Sequence, residues 1–175
     1  MQTVTLVIAV FGAVVATAFL TWQITLFLLS GARVKTDLLI GARNQGSMAT
    51  GPVDSMAPSN LRHLVEQGFT TPVIAVRARN VGRLPVTVTG ISLPSSIKGM
   101  SLSVPGGMIG PDLPHRLEAH DNATWAIDLE QAMHFLKAGQ ETFEIDPASV
   151  HLWGRVELGD GRQVKSRKSF QPGPG

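Results

Sequence analysis

Cysteine and tyrosine are both absent from the 175 residues. Without cysteine there is no disulfide scaffold, no Cys-ligated zinc and no thiol chemistry. The two absences together explain an isoelectric point of about 9.4 at a formal net charge of only +2, because almost nothing titrates between His and Lys. The high isoelectric point is therefore no sign of nucleic-acid binding. Aromatic residues are scarce at 6% and are not interleaved with the cations as a base-stacking surface requires, so no nucleic-acid partner is expected. A third absence is local: residues 1–32 contain no charged side chain.

Of the first 30 residues, 21 are hydrophobic. From Val4 to Leu29 the only polar side chains are four Thr and Gln23. At ~1.5 Å per residue this stretch reaches roughly 39 Å as a helix, enough to cross a hydrocarbon core of ~30 Å with some tilt. The reading is a transmembrane helix over residues 1–32, with Leu6, Val10, Val14, Phe19 and Trp22 as anchor residues and the lipid bilayer as partner. A cleaved signal peptide is the rival, since Ala16-Thr17-Ala18 mimics a cleavage site. That reading lacks a positive n-region, and the apolar run continues past the site. Arg33, Lys35 and Arg43 follow the helix, and no charged side chain precedes it. The expected placement is thus a single-pass protein of the cell membrane with its C-terminal domain in the cytoplasm. Ala9, Gly12, Ala13 and Ala16 form overlapping small-x-x-x-small spacings, which let helix backbones approach closely.

Residues 33–170 read as one mainly β domain. A strand is expected over 34–42. Residues 44–58 read as a Gly/Pro/Ser-rich loop, the start of a loop and short-helix insertion over 44–70. In that insertion, Ser59 or Asn60 caps a short helix bearing Leu61, Leu64 and Val65, and Gly68 stops it. Alternating strands follow at 72–80 and 85–93, and the second carries a bulge at Gly90 that turns Ile91 and Leu93 inward. A short strand spans 100–104, ending at Pro105-Gly106-Gly107. Another spans 123–127, with Trp125 and Ile127 buried. Asp128 and Gln131 resemble a capping box opening a helix with Leu129, Ala132, Met133 and Leu136 on its apolar face and Gly139 as its stop. Val150, Leu152, Gly154, Val156 and Leu158 alternate with polar neighbours, and Gly159-Asp160-Gly161 turns the chain into a final hairpin strand. Residues 171–175 read as a flexible tail. This pattern fits a seven-stranded antiparallel sandwich with one crossing helix, or else a partly open barrel.

The run Asn80-Val81-Gly82-Arg83-Leu84-Pro85-Val86-Thr87-Val88-Thr89, the run Leu113-Pro114-His115-Arg116-Leu117-Glu118-Ala119 and the closing Gly159-Asp160-Gly161-Arg162 follow one N-terminal membrane helix. This arrangement resembles a set of uncharacterised small bacterial single-pass membrane proteins with a C-terminal immunoglobulin-like β-sandwich. The resemblance implies the same architecture and brings no catalytic residues with it.

Strong catalytic or cofactor motifs are lacking. No H-E-x-x-H, G-x-S-x-G, P-loop or G-x-G-x-x-G occurs, and no cofactor is expected. Asp112, His115, His120 and Asp121 share one segment and are weak metal-ligand candidates, although L-P-H-R-L-E-A-H-D-N also reads as a solvated turn. Glu141, Glu144 and Asp146 are the weaker case for acid–base work. Charge is segregated: residues 62–98 carry five cations and one anion, 112–160 three cations and ten anions, and 162–168 four cations and no anion. Arg77 and Arg79 face outward on one expected strand and Lys165 and Arg167 on another, so they make one basic patch if those strands share a sheet. The expected function is a non-catalytic, membrane-anchored interaction module. It would be an accessory or adaptor subunit with a protein partner, which includes a second copy met through the helix. The alternatives are a self-assembling structural membrane component of the lysis or injection type, and a metal-binding or hydrolytic domain built on His115, His120 and Asp121.

Overall fold

The charge-free N-terminus forms one helix, α1 (Gln2–Leu29), in a computed structural model that describes residues 2–29, 31–55, 58–97, 99–104, 107–146 and 149–172. Among the described residues, no other part of the chain buries the span Thr3–Leu26. Thr17, Thr21 and Thr25 each donate a hydroxyl to the carbonyl four residues earlier at 2.8 Å. These hydroxyls are thus satisfied within the helix and tolerate an apolar surround.

Among the described residues, nine strands and two further helices follow. In chain order they are β1 (Val34–Arg43), β2 (Met48–Pro52), α2 (Pro58–Glu66), β3 (Thr71–Asn80), β4 (Val86–Pro94), β5 (Ser101–Leu102), β6 (His115–Leu117), β7 (Asn122–Asp128), α3 (Leu129–Phe143), β8 (Leu152–Leu158) and β9 (Gln163–Phe170). One antiparallel sheet runs β2-β1-β3-β7. The other runs β5-β4-β8-β9, with β6 also on β4. The two sheets face each other across a core of Leu38, Ile74, Val76 and Trp125 from the first and Val88, Leu93, Leu152 and Val156 from the second. Gly154 of the second sheet lies close against the first. A Cβ there would stand 3.0 Å from Val76 Cγ2 and 3.4 Å from Leu38 Cδ1.

The strongest periodicities are realised. Val150, Leu152, Val156 and Leu158 are at most 2% exposed, and a register shift at Gly90 leaves Ile91 and Leu93 buried. Two strands depart from expectation. Residues 48–52, read as loop, pair with Leu39–Arg43 as β2 after a turn in which Asn44 Oδ1 accepts from the Gly46 and Ser47 N–H groups. His115–Leu117, read as a solvated turn, pairs with Val86–Val88, and Leu117 is fully buried. The 100–104 strand shortens to β5, and Pro105 and Gly106 of its expected turn lie outside the described residues.

The helices also depart. α2 begins at Pro58, so Ser59 and Asn60 fall within its first turn. Gly68, at φ +90°, ends it as expected, while Val65 is exposed; the side chain of Leu61 lies outside the described residues. Asp128 occupies the N-cap of α3 but makes no capping bond, because its carboxylate meets Arg43 of β1 at 3.4 Å. Gly139 does not stop α3, which runs on to a left-handed Glu144. Gly139 is buried because Ile97 and Met100 lie where a side chain would go, at 2.8 Å from a would-be Cβ. Ala132, Leu136 and Gly139 therefore form the inward face, and Met133 is exposed. Pro172 is buried, and residues 173–175 of the expected tail lie outside the described residues.

Candidate functional site

The anchor residues Leu6, Val10, Val14, Phe19 and Trp22 are each 57–65% exposed, so α1 presents apolar surface all round. Ala9, Gly12, Ala13 and Ala16 are exposed on the same helix. Ala13 continues into a shallow groove with Thr17, Ala18 and Thr21.

The four cations of the expected basic patch are not brought together. Arg77 and Arg79 lie on β3 and Lys165 and Arg167 on β9, in different sheets. Asp37, opposite Arg77 in the β1–β3 register, takes both arginines at 3.4 and 3.0 Å. Lys165 places its ammonium 3.5 Å from the centroid of the Trp153 ring, a cation–π contact. Lys168, in an irregular stretch of β9, pairs with Asp54 beyond β2, and that bond holds the Asp54 carboxyl below the usual range. Arg77, Arg79 and Lys168 are thus paired with Asp37 and Asp54, two acids that lie outside the anionic 112–160 stretch.

The metal candidates are also kept apart in role. The His115 ring meets the Trp125 ring edge-on at 5.8 Å, His120 occupies a turn at φ +64°, and the Asp121 carboxylate accepts the Asn122 N–H at 2.7 Å. Among the described residues no group of three His, Asp or Glu side chains is arranged to hold a metal ion.

A site that the sequence did not show lies beside β4. Residues 107–113 run along β7, where Ile109 bridges Ala126, and together with Ser103 and Val104 they leave a cleft of about 550 Å³ against β4 and β8. Ile91, Val104, Met108 and Leu113 supply apolar walls over Trp125. Trp125 Nε1 donates to the Pro111 carbonyl at 2.8 Å, fastening the segment in place. Glu157 and Asp112 add carboxylates. Glu157 lies over Gly90, where a would-be Cβ would come within 2.9 Å of its Oε2. The arrangement suits a cationic or amide-bearing group with an apolar body. Its one sequence-level trace is the bulge at Gly90, which makes room for Glu157.

At the β8–β9 turn the Arg162 N–H, followed by its guanidinium at 2.7 Å, holds the exposed Asp160 carboxyl below the ordinary Asp range. A depressed acid contributes stability that is present above its unfolded pKa and lost as pH falls through the folded one. In an NMR titration Asp160 is expected to protonate below a typical Asp. Arg162→Ala, which leaves the backbone donor in place, should raise that midpoint only part of the way. An unshifted midpoint in the unaltered protein would contradict the assignment.

No protein-family model matches the chain, and a comparison with curated proteins finds no significant match.

Proposed function

We propose that the protein is a single-pass, membrane-anchored interaction module whose immunoglobulin-like sandwich serves a membrane-associated assembly as an accessory or adaptor subunit. The observation that carries this reading is the joining of a charge-free, predominantly apolar and exposed helix to a β-sandwich with a preformed cleft. The helix needs lipid around it. Anchoring confines the partner search to the membrane surface and raises effective concentration. Arg33, Lys35 and Arg43 favour a cytoplasmic sandwich.

Two measurements test this. A photoreactive residue at the exposed Ser103, on the cleft, should give a discrete adduct in native membranes, whereas one at Gln45 should not. Absence of any cleft adduct from a chain that resists carbonate extraction would defeat the interaction reading and leave the anchor standing. A Cys at Gln171, unique in this chain, should react with an impermeant thiol reagent only after permeabilisation. The small-residue groove along α1 favours self-association as the second reading. A strict monomer in mild detergent would remove it.

A further inference from the structure

The sandwich presents one end to the helix exit. Strand β1 starts there at Val34, and the antiparallel registers bring three turns to the same end: 81–85, 118–121 and 159–162. The exit is fixed to the first of these. Val81 N–H donates to the Arg33 carbonyl at 2.7 Å, and Gly82 is buried against the 31–33 backbone so closely that no side chain fits. Arg162 adds a longer contact to the Ala32 carbonyl at 3.5 Å.

Charge is sorted across this end. On the β1 and β9 side stand Arg33, Lys35 and Arg162, with Asp160 held by Arg162, and Arg83 lies in the central turn. On the β6 and β7 side stand Glu118, held by Arg116, and Asp121. Lys35 and Arg83 are exposed, and among the described residues neither has an ion-pair partner. Beside Arg83, Val81 and Leu84 are 39% and 51% exposed, two apolar side chains on the outer surface of this turn.

Apolar tips flanked by free cations, immediately beside a helix fit to enter a bilayer, match one surface in chemistry and in position. We propose that this end of the sandwich seats on anionic lipid, with Val81 and Leu84 at headgroup depth and Lys35 and Arg83 against lipid phosphates. The acidic 118–121 turn is then tilted away from the surface. This inference rests on the reading of α1 as a membrane anchor. It moves the lipid-facing cations from Arg77, Arg79, Lys165 and Arg167 to residues around the helix exit.

Because the chain has no cysteine, single labelling sites are available without background. The full chain is reconstituted into vesicles of phosphatidylcholine alone or mixed with phosphatidylglycerol. An environment-sensitive fluorophore is attached at Leu84→Cys, at Val14→Cys in α1, or at Gln45→Cys, roughly 30 Å away at the other end of β1. The Leu84 label should be quenched by headgroup-level quenchers in anionic vesicles, while the Gln45 label stays aqueous. Lys35→Gln with Arg83→Gln should lower the ratio of seated to unseated label by more than about ten-fold. About 1 M salt, where screening acts within ~3 Å, should do the same. A Leu84 label that stays aqueous in anionic vesicles, beside a lipid-buried Val14 label, overturns the seating. Equal quenching in neutral vesicles overturns the anionic recognition. An aqueous Val14 label overturns the anchor itself.

Discussion

Trp125→Ala should lower the stability of the sandwich by about 3–5 kcal/mol, the usual cost of a large cavity in a packed core. Trp125 is 1% exposed and fills the space between the sheets near β4. The substitution also removes the N–H that holds the Pro111 carbonyl at 2.8 Å and the ring that meets His115 edge-on. At ~2–4 °C per kcal/mol, the thermal midpoint followed by circular dichroism should fall by about 6–20 °C. Trp125→Phe separates the two losses, because it keeps most of the volume and deletes the donor. It should cost less, yet still free the 107–113 segment, which hydrogen exchange at the Ile109 and Ala126 amides would report, since these two bond each other across the bridge. A drop below about 1 kcal/mol for the Ala variant would mean that the cleft segment does not depend on Trp125.

Asn80→Asp should destabilise by a similar amount, about 3–5 kcal/mol, although the two side chains are almost the same size. Asn80 is 1% exposed and ends β3. Its amide donates to the carbonyls of Leu84 at 2.8 Å and Glu118 at 3.0 Å, and its carbonyl accepts the Gly82 N–H at 3.0 Å. A carboxylate keeps the last bond but turns a charge toward two acceptors. Because two turns hang on this side chain, exchange at the Val81 and Gly82 amides should rise before the sheets open. If Asn80→Asp unfolds at the denaturant midpoint of the unaltered protein, these bonds are not what holds the turns.

The elements that were legible in the sequence are those whose burial is one-sided. In β8, Leu152, Gly154, Val156 and Leu158 point in and Trp153, Arg155 and Glu157 point out, so alternation reports the strand directly. Met48–Pro52 has no such pattern, because every residue of β2 is partly or fully exposed, and pairing with β1 rather than burial makes it a strand. His115–Leu117 is too short for any period to emerge. Gly139 reads as a helix stop because a sequence does not show that Ile97 and Met100 will pack there. The candidate sites were less legible for the same reason. Asp37 and Arg77 are 40 residues apart and meet only through the β1–β3 register, so two of the four expected patch cations share one carboxylate instead. The cleft depends on where 107–113 lies along β7, which tertiary contacts such as the Ile109–Ala126 bridge decide.

The bond between Val81 and Arg33 has a mechanical consequence. Only residues 30–33 separate α1 from β1, and the backbone of 31–33 lies against Gly82. A long, flexible tether would let the domain swivel and would absorb any torque at its root. Here residues 31–33 are instead tied to the turn between β3 and β4, so a pull on these residues is expected to load β1 and β3 together, as a strap stitched at two points pulls on both.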